Sequence, residues 1–410
     1  MQIKQFSPLF LTVDRIGPFQ ERLEEFDFTD VNEEPCNVFL FASKNGRGKT
    51  TLLELMVAMM NMLGKTKLES FGFEPLDYGK GRAQWDILVR TERDGVAKTW
   101  VLSLIAGFIG NTFLKAWDEE AELNRVGAKE WHRFGFRRTD TGRIEMLGKI
   151  DSWTDELDGW IKDFNSLLQQ AQAKDNTETE PHGFEDASLT YPTLLYFSAY
   201  RNIPKPANID QRSIDRPNNW GYKPTHTFST EGQLWDQSLD NLLVWLKWLD
   251  EERFKEALSI INQRVFGESN KKITDVNKRT LLADVTVDGQ SQAHRLDQMS
   301  SGEKSLLQIF LRLGIHMTGN TIVFIDEIET HLHTTWRFQL MFELMKMAQK
   351  HYPGFTLFVT THTQEVMKAF APQLTEKNLV KGAYILETAE EEAKAQRIMQ
   401  KMREQLSAEP

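Results

Sequence analysis

The chain has 410 residues, 40% hydrophobic and 26% charged, with a net charge of −10 and a single cysteine. That length exceeds what one ordinary domain needs, so a core domain carrying a sizeable insertion is expected. The negative balance argues against general attachment to nucleic acid while permitting a local basic surface, and Cys36 alone rules out an internal disulfide, as suits a reducing cytoplasm.

The opening "MQIKQFSPLFLTVDRIGPF" has no basic leader, and its apolar run is broken by proline. The most apolar stretch, "WVLSLIAGFIG" at 100–110, falls short of the roughly 20 residues a membrane span requires. A soluble cytoplasmic protein without membrane association is expected. "NVFLFA" at 37–42 predicts a strand buried on both faces, and Cys36 just before it reads as a small core hydrophobe.

"SKNGRGKT" at 43–50 misses the GxxxxGK[S/T] phosphate-loop pattern by one residue, with Ser43 at the first glycine position. "KTTLLELMVAMMNMLG" follows as a helix stopping near Gly64. Strand, glycine-bearing turn and helix is the context in which backbone N–H groups cradle phosphates. The predicted nucleotide-binding set is Asn45, Gly46, Arg47, Gly48, Lys49, Thr50 and Thr51. Lys49 reaches the β- and γ-phosphates, and the Thr50 hydroxyl serves Mg2+. The first glycine mainly eases the exit from the strand, so serine at position 43 is compatible with ATP binding.

"WDILVRTERDGVAKTWVLSLIAG" predicts a β-hairpin turning at "DG". "HRFGFRRTDTGR" at 132–143 mixes basic and aromatic residues, as a phosphate-backbone contact would, although a solvated hairpin end is the favoured reading. "KDNTETEPHGFED" at 174–186 reads as a surface loop, and "TLLYF" near 195 as a further strand. A proline- and asparagine-rich segment at 204–232 leads to a helical stretch with Trp235, Leu239, Leu242, Leu246 and Leu249 at helical spacing, read as packing. "SNKKITDVNKR" is a weaker basic patch.

In "MSSGEKSLLQIFLRLGIHM", Ser300 and Glu303 form a capping-box pattern. Gly302 leaves the first helical turn open to a phosphate. "TIVFIDE" predicts a buried strand delivering Asp326 and Glu327 at its carboxyl end, where open α/β sheets place ligands. Asp326 is assigned to the magnesium shell and Glu327 to the attacking water. After one more helix, "FTLFVTT" leads to His362 at the same sheet edge, placing this histidine beside the γ-phosphate. The strand–helix rhythm implies a parallel sheet. The terminal "TAEEEAKAQRIMQKMREQL" reads as a helix that docks on the body or binds a partner.

These motifs, in this order, resemble the head of an ABC-type ATPase. "NGRGKTTLLELM" is similar to RecF-like and chromosome-maintenance ATPases, "MSSGE" to the signature motif, "VFIDE" to Walker B, and "TTH" supplies the switch histidine. "DEIETHLHTTW" is similar to OLD-related ATPases of bacterial phage-defence systems, including Septu and PARIS ATPase subunits, with His333 at the D-loop aspartate position. The resemblance implies an α/β P-loop NTPase fold with a mostly parallel central sheet, a small antiparallel N-terminal sheet and an inserted helical and loop region. It implies ATP and Mg2+ as ligands and a head-to-head homodimer in which Ser300 and Gly302 act on the partner's nucleotide. It also places Ser198 and Arg201 in the Q-loop position, facing nucleotide. The resulting division is an ATPase head at 1–114 and 281–387, an insertion at 115–190, a strand, loop and helical lobe at 191–280, and a terminal helix at 388–410. The expected function is a slow, regulatory ATPase that scaffolds or restrains a separate effector protein in phage defence. A RecF-like DNA clamp is the alternative, which keeps DNA as a partner.

Overall fold

Strands covered on both faces tolerate apolar side chains at every position, and the uninterrupted apolar runs become such strands. In the computed structural model they form one six-stranded sheet with every pair parallel. Its order is β14 (Ala383–Ile385), β3 (Val38–Ala42), β13 (Phe355–Thr361), β12 (Asn320–Ile325), β8 (Pro192–Phe197) and β9 (Thr225–Phe228). The structure describes residues 1–20, 23–30, 32–109, 114–147, 155–172, 189–229, 234–249, 251–267, 269–348, 354–370 and 383–385. The expected loop at 174–186 and terminal helix at 388–410 lie outside them.

Alternate strand residues enter two different cores, as the period of two requires. Phe39, Phe41, Tyr196, Phe324 and Phe358 face α1 (Lys49–Met60) and a second sheet. Phe39 stacks on Phe358 at 4.4 Å between ring centroids, and burying each such ring contributes about 1.5–3 kcal/mol. Leu40, Leu195, Phe197, Val323 and Val359 face the opposite core. That core holds α5 (Leu239–Leu249), α6 (Glu251–Arg264), α7 (Ser301–His316), α8 (Thr334–Lys346) and the hairpin of β10 (Lys271–Asn277) with β11 (Leu282–Val287). Of the stripe read as helical packing, Trp235, Leu239, Leu242 and Leu246 are buried, while Leu249 is partly exposed.

The second sheet runs β2 (Glu24–Asp27), β1 (Gln2–Asp14), β4 (Arg82–Arg93), β5 (Val96–Gly107), β6 (Glu130–Arg138), β7 (Ile144–Met146). It is antiparallel except for the β5–β6 pair, which is parallel because a crossover containing α3 (Glu120–Arg125) joins those two strands. The β4–β5 hairpin turns where expected: Asp94 and Gly95 have φ of 52° and 79°, the two positive values of a type I′ turn. The basic stretch at 132–143 is a hairpin too, with Arg137 opposite Glu145 at 3.2 Å and Arg138 donating to the Leu76 carbonyl at 3.1 Å. α2 (Glu74–Asp77) precedes β4, α4 (Asp155–Gln172) adds Trp160 and Phe164 to the core around α1, and α9 (Gln364–Phe370) follows β13. Helix α1 ends at Met60, and Gly64, at φ 75°, falls in the turn beyond it.

Candidate functional site

The carboxyl ends of β3, β13 and β12 lie side by side, and the loop at 43–50 leaves the first of them. Gly46 and Gly48 take φ of 80° and 91°, a backbone that residues with a Cβ adopt only at a cost. A Cβ on Gly48 would also lie 2.7 Å from Pro18 and 2.9 Å from Phe19. Ser43 keeps clear of the left-handed region, is 6% exposed, and donates its N–H to the Thr361 carbonyl at 3.3 Å. No glycine is needed at that point. The loop closes on the buried Lys49, whose Nζ donates to the Ser43 carbonyl at 2.7 Å, the Lys44 carbonyl at 3.0 Å and Ser43 Oγ at 3.2 Å. The ammonium is thereby held inside the curve of backbone that the glycines create.

Asp326, 3% exposed, sits one residue past β12. Its Oδ2 accepts from Thr50 Oγ1 at 2.8 Å and its Oδ1 from Thr360 Oγ1 at 2.5 Å. The first turn of α1 and the end of β12 therefore meet at a hydroxyl and a carboxylate. Such hard oxygens suit Mg2+, which takes one or two protein ligands and keeps its other positions for water and phosphate. Among the described residues no group of three or more His, Cys, Asp or Glu could hold a metal ion unaided. This donor set fits a cation that shares its coordination with a nucleotide. Burial, and then the charge of Asp326, raise the Glu54 carboxyl on α1.

Glu327 departs from ordinary backbone, with φ of 45°. Its N–H donates to Thr360 Oγ1 at 2.7 Å, and its Oε2 accepts from Thr330 Oγ1 at 3.1 Å. A left-handed glutamate costs on the order of 1 kcal/mol or more and persists only where neighbours hold it, a pattern associated with functional sites.

His362 is held by a residue that sequence reasoning quoted without assigning. Glu329 Oε1 lies 2.8 Å from His362 Nδ1 and accepts the His362 backbone N–H at 2.8 Å. Glu329 is 6% exposed, whereas the His362 side chain is 39% exposed. The carboxylate only accepts, so Nδ1 carries a proton and Nε2 is the nitrogen left for other work. The signal lay in the sequence as a third acid, two residues after the Asp326–Glu327 pair.

Arg201 is placed differently from the expectation that it faces nucleotide. It is 1% exposed and turned inward, where Nε donates to Ser305 Oγ at 2.9 Å. Nη1 donates to the carbonyls of Ser198 at 2.7 Å and Asp326 at 2.6 Å, and Nη2 to that of Glu327 at 3.0 Å. Burial lowers its pKa to about 10 against the pull of Asp326, Glu329 and Glu327. The carbonyls at the end of β12 lack strand partners, and one guanidinium fork satisfies two of them while tying β12 to α7. The Ser198 hydroxyl donates to the Tyr200 carbonyl at 3.3 Å.

At the start of α7, Ser300 and Glu303 form the reciprocal capping box. Burial pushes the Glu303 carboxyl up, but Lys271 at 2.8 Å and the Ser300 N–H and hydroxyl outweigh it and hold it below the usual range. The space beside Gly302 is filled: a Cβ there would lie 2.8 Å from the Trp336 ring and 3.1 Å from the His331 carbonyl. Within one chain this glycine lets α7 approach α8, which a sequence without contacts does not reveal. Ser300 itself is exposed, and His333 is the N-cap residue of α8 without a side-chain capping bond.

Comparison with known proteins bears on the second half of this site. The family model described as an AAA domain, putative AbiEii toxin, Type IV TA system, matches residues 195–368, from β8 through the acid pair to α9. Among solved structures the chain is similar to a dimeric post-hydrolysis state of the ATP-binding cassette MJ0796 bound to ADP and Pi. That likeness has 11% identity over 88% of this chain and 90% of that chain, with a TM-score of 0.29. It is also similar to the recombination mediator protein RecF bound to ATP, at 10% identity over 88% and 93% of the two chains, with a TM-score of 0.30. No curated protein matches the sequence. Among the described residues no helix is long and apolar enough to cross a membrane. The loop at 43–50 has the backbone geometry of a phosphate loop, and the AAA-domain match covers the half of the site that carries Asp326, Glu327 and His362.

Proposed function

We propose that the chain binds and slowly hydrolyses ATP as an ABC-type ATPase subunit of an anti-phage defence module. The observation that carries this reading is the 2.8 Å hydrogen bond from Thr50 to Asp326, which puts the phosphate loop and the acid pair at one point. Asn45, Gly46, Arg47 and Gly48 would surround the phosphates with backbone N–H groups, and Lys49 would exchange its carbonyl partners for phosphate oxygens. Thr50 and Asp326 would hold a magnesium ion, whose charge neutralises the phosphate oxygens, and Thr51 continues the same helical turn. Glu327 would take a proton from the water attacking the γ-phosphorus as the bond to the bridging oxygen breaks and ADP leaves. His362, with Nδ1 fixed by Glu329, would offer Nε2 to a γ-phosphate oxygen.

Ser300, and Gly302 through its backbone N–H rather than an open face, would act on the nucleotide of a second copy in a head-to-head dimer, so that turnover governs opening and closing. A separate effector protein would read that cycle. The resemblance of "DEIETHLHTTW" to phage-defence ATPases supports this, as does the family description, a putative toxin of a type IV TA system.

The test is ATP binding, turnover and mass in solution for the parent chain, Lys49→Ala and Glu327→Gln. Lys49→Ala should lose nucleotide binding. Glu327→Gln should retain ATP, turn over roughly a hundredfold more slowly, and double in mass when ATP is added. Unimpaired binding by Lys49→Ala, or an unchanged rate for Glu327→Gln, would overturn the assignment.

A further inference from the structure

Two cavities flank the sheet-edge strand β9 and share Asn218 and Lys223. The larger, about 840 Å³, is lined by Lys65, Arg216, Lys223, Trp220, Tyr222 and Trp245 among others. The smaller, about 390 Å³, adds Gln308, Arg312 and Phe228. The joint lining holds four cationic side chains, Lys65, Arg216, Lys223 and Arg312, against one carboxylate, Asp215. In a chain of net charge −10, that concentration of positive charge is local and opposes the overall balance.

The cations are crowded. Burial and then the charge of Arg216 lower the Lys223 ammonium, and burial lowers Lys65. Burial, with Lys223 and Arg312 beside it, pushes His226 down to about 3, and His316 against it is lowered as well. Like charges gathered around a cavity cost free energy that a bound anion removes.

Two uncommitted polar groups show what else the cleft would take. Gln308, 2% exposed, leaves both its amide oxygen and its amide nitrogen without hydrogen-bond partners, and the buried indole N–H of Trp245 has none. Turned into the cavity it lines, an amide that donates and accepts side by side would match the edge of a nucleobase. Trp220 and Trp245 pack edge to face with ring centroids 6.3 Å apart, the buried Trp220 backing the less buried Trp245, and an aromatic ring beside cations is the usual means of holding a base and its phosphate.

We propose that this cleft binds a nucleotide unit, a planar base with its phosphate, either free or as part of a single strand. It is a separate site from the phosphate loop and does not depend on the ATPase reading. Asn61 and Lys65 lie past the C-terminal end of α1, whose 12 residues place about 18 Å between that end and Lys49.

The test uses the full chain carrying Lys49→Ala, so that the phosphate loop is silenced. Binding of a fluorescent twelve-residue single-stranded DNA or RNA is followed by anisotropy, and binding of AMP by calorimetry. At least one should bind below about 100 μM, with the strand's affinity falling as salt rises. Lys65→Glu and Lys223→Glu, whose side chains reach solvent although their ammonium groups are partly screened from it, should each weaken binding at least tenfold with the cooperative thermal melt retained; Trp245→Ala should weaken it too. Strand binding without AMP binding identifies a nucleic acid as the source, and AMP competing with the strand identifies the mononucleotide. Absence of both, equal binding by the charge-reversed variants, or equal capture of polyglutamate would overturn the proposal.

Discussion

One oxygen of Glu329 grips His362 twice, at 2.8 Å from Nδ1 and 2.8 Å from the backbone nitrogen, across 33 residues of sequence. The histidine ring is thus fixed in both direction and tautomer by an acid that is itself buried. Glu329 would act as a positioning residue. Glu329→Ala should lower ATP turnover roughly ten- to a hundredfold, the scale of a misplaced reacting group, while ATP affinity stays within about twofold. Steady-state kinetics beside equilibrium nucleotide binding separates the two effects. A loss of affinity with an unchanged rate would contradict this role.

Arg201 predicts a larger structural effect. Its removal strands the carbonyls of Ser198 and Asp326, while that of Glu327 keeps the Thr330 N–H at 2.9 Å, and should cost about 3 kcal/mol. Arg201→Met is expected to unfold at markedly lower urea. Arg201→Lys should keep more stability but turn over slowly, because one ammonium cannot reproduce the fork between β12 and α7. Denaturation midpoints and ATPase rates of both variants check this, and stability unchanged in Arg201→Met would remove the residue from its linking role.

The two loop glycines should differ in cost. Gly46 has φ of 80° with open space around a Cβ, whereas Gly48 has φ of 91° and a Cβ would strike Pro18 and Phe19. Gly46→Ala is expected to lose about 1 kcal/mol, and Gly48→Ala roughly 2–3 kcal/mol once the clash is added. Nucleotide-free urea melts read the difference directly, and equal losses would show that the Pro18–Phe19 turn yields.

Asp86, in the second sheet, gives a pH dependence away from the nucleotide site. Burial pushes its carboxyl from 3.8 up to about 6, against hydrogen bonds from Ser103 and Gln84. The folded chain then holds this proton to higher pH than the unfolded chain does. The contribution is full below about pH 4 and is lost as pH rises to about 6, a change of roughly 3 kcal/mol. Asp86→Asn should remove that decline, seen as a difference from the parent in urea midpoints between pH 4 and 7. Parallel curves would exclude Asp86 as the cause.

Much of this was written locally. The unbroken apolar runs before Ser43 and Asp326 pointed to two-face-buried strands, "DG" to a hairpin turn, and Ser300 with Glu303 to a helix start, because each depends on neighbours a few residues apart. Contacts between distant segments were a matter for the tertiary structure. Packing alone turned Arg201 inward to the carbonyls of Asp326 and Glu327, filled the space beside Gly302 with Trp336, and brought the Glu329 carboxylate to His362. Those outcomes depend on which surfaces the crossovers press together, and hydrophobic periodicity carries no information about which partner a buried polar side chain will meet.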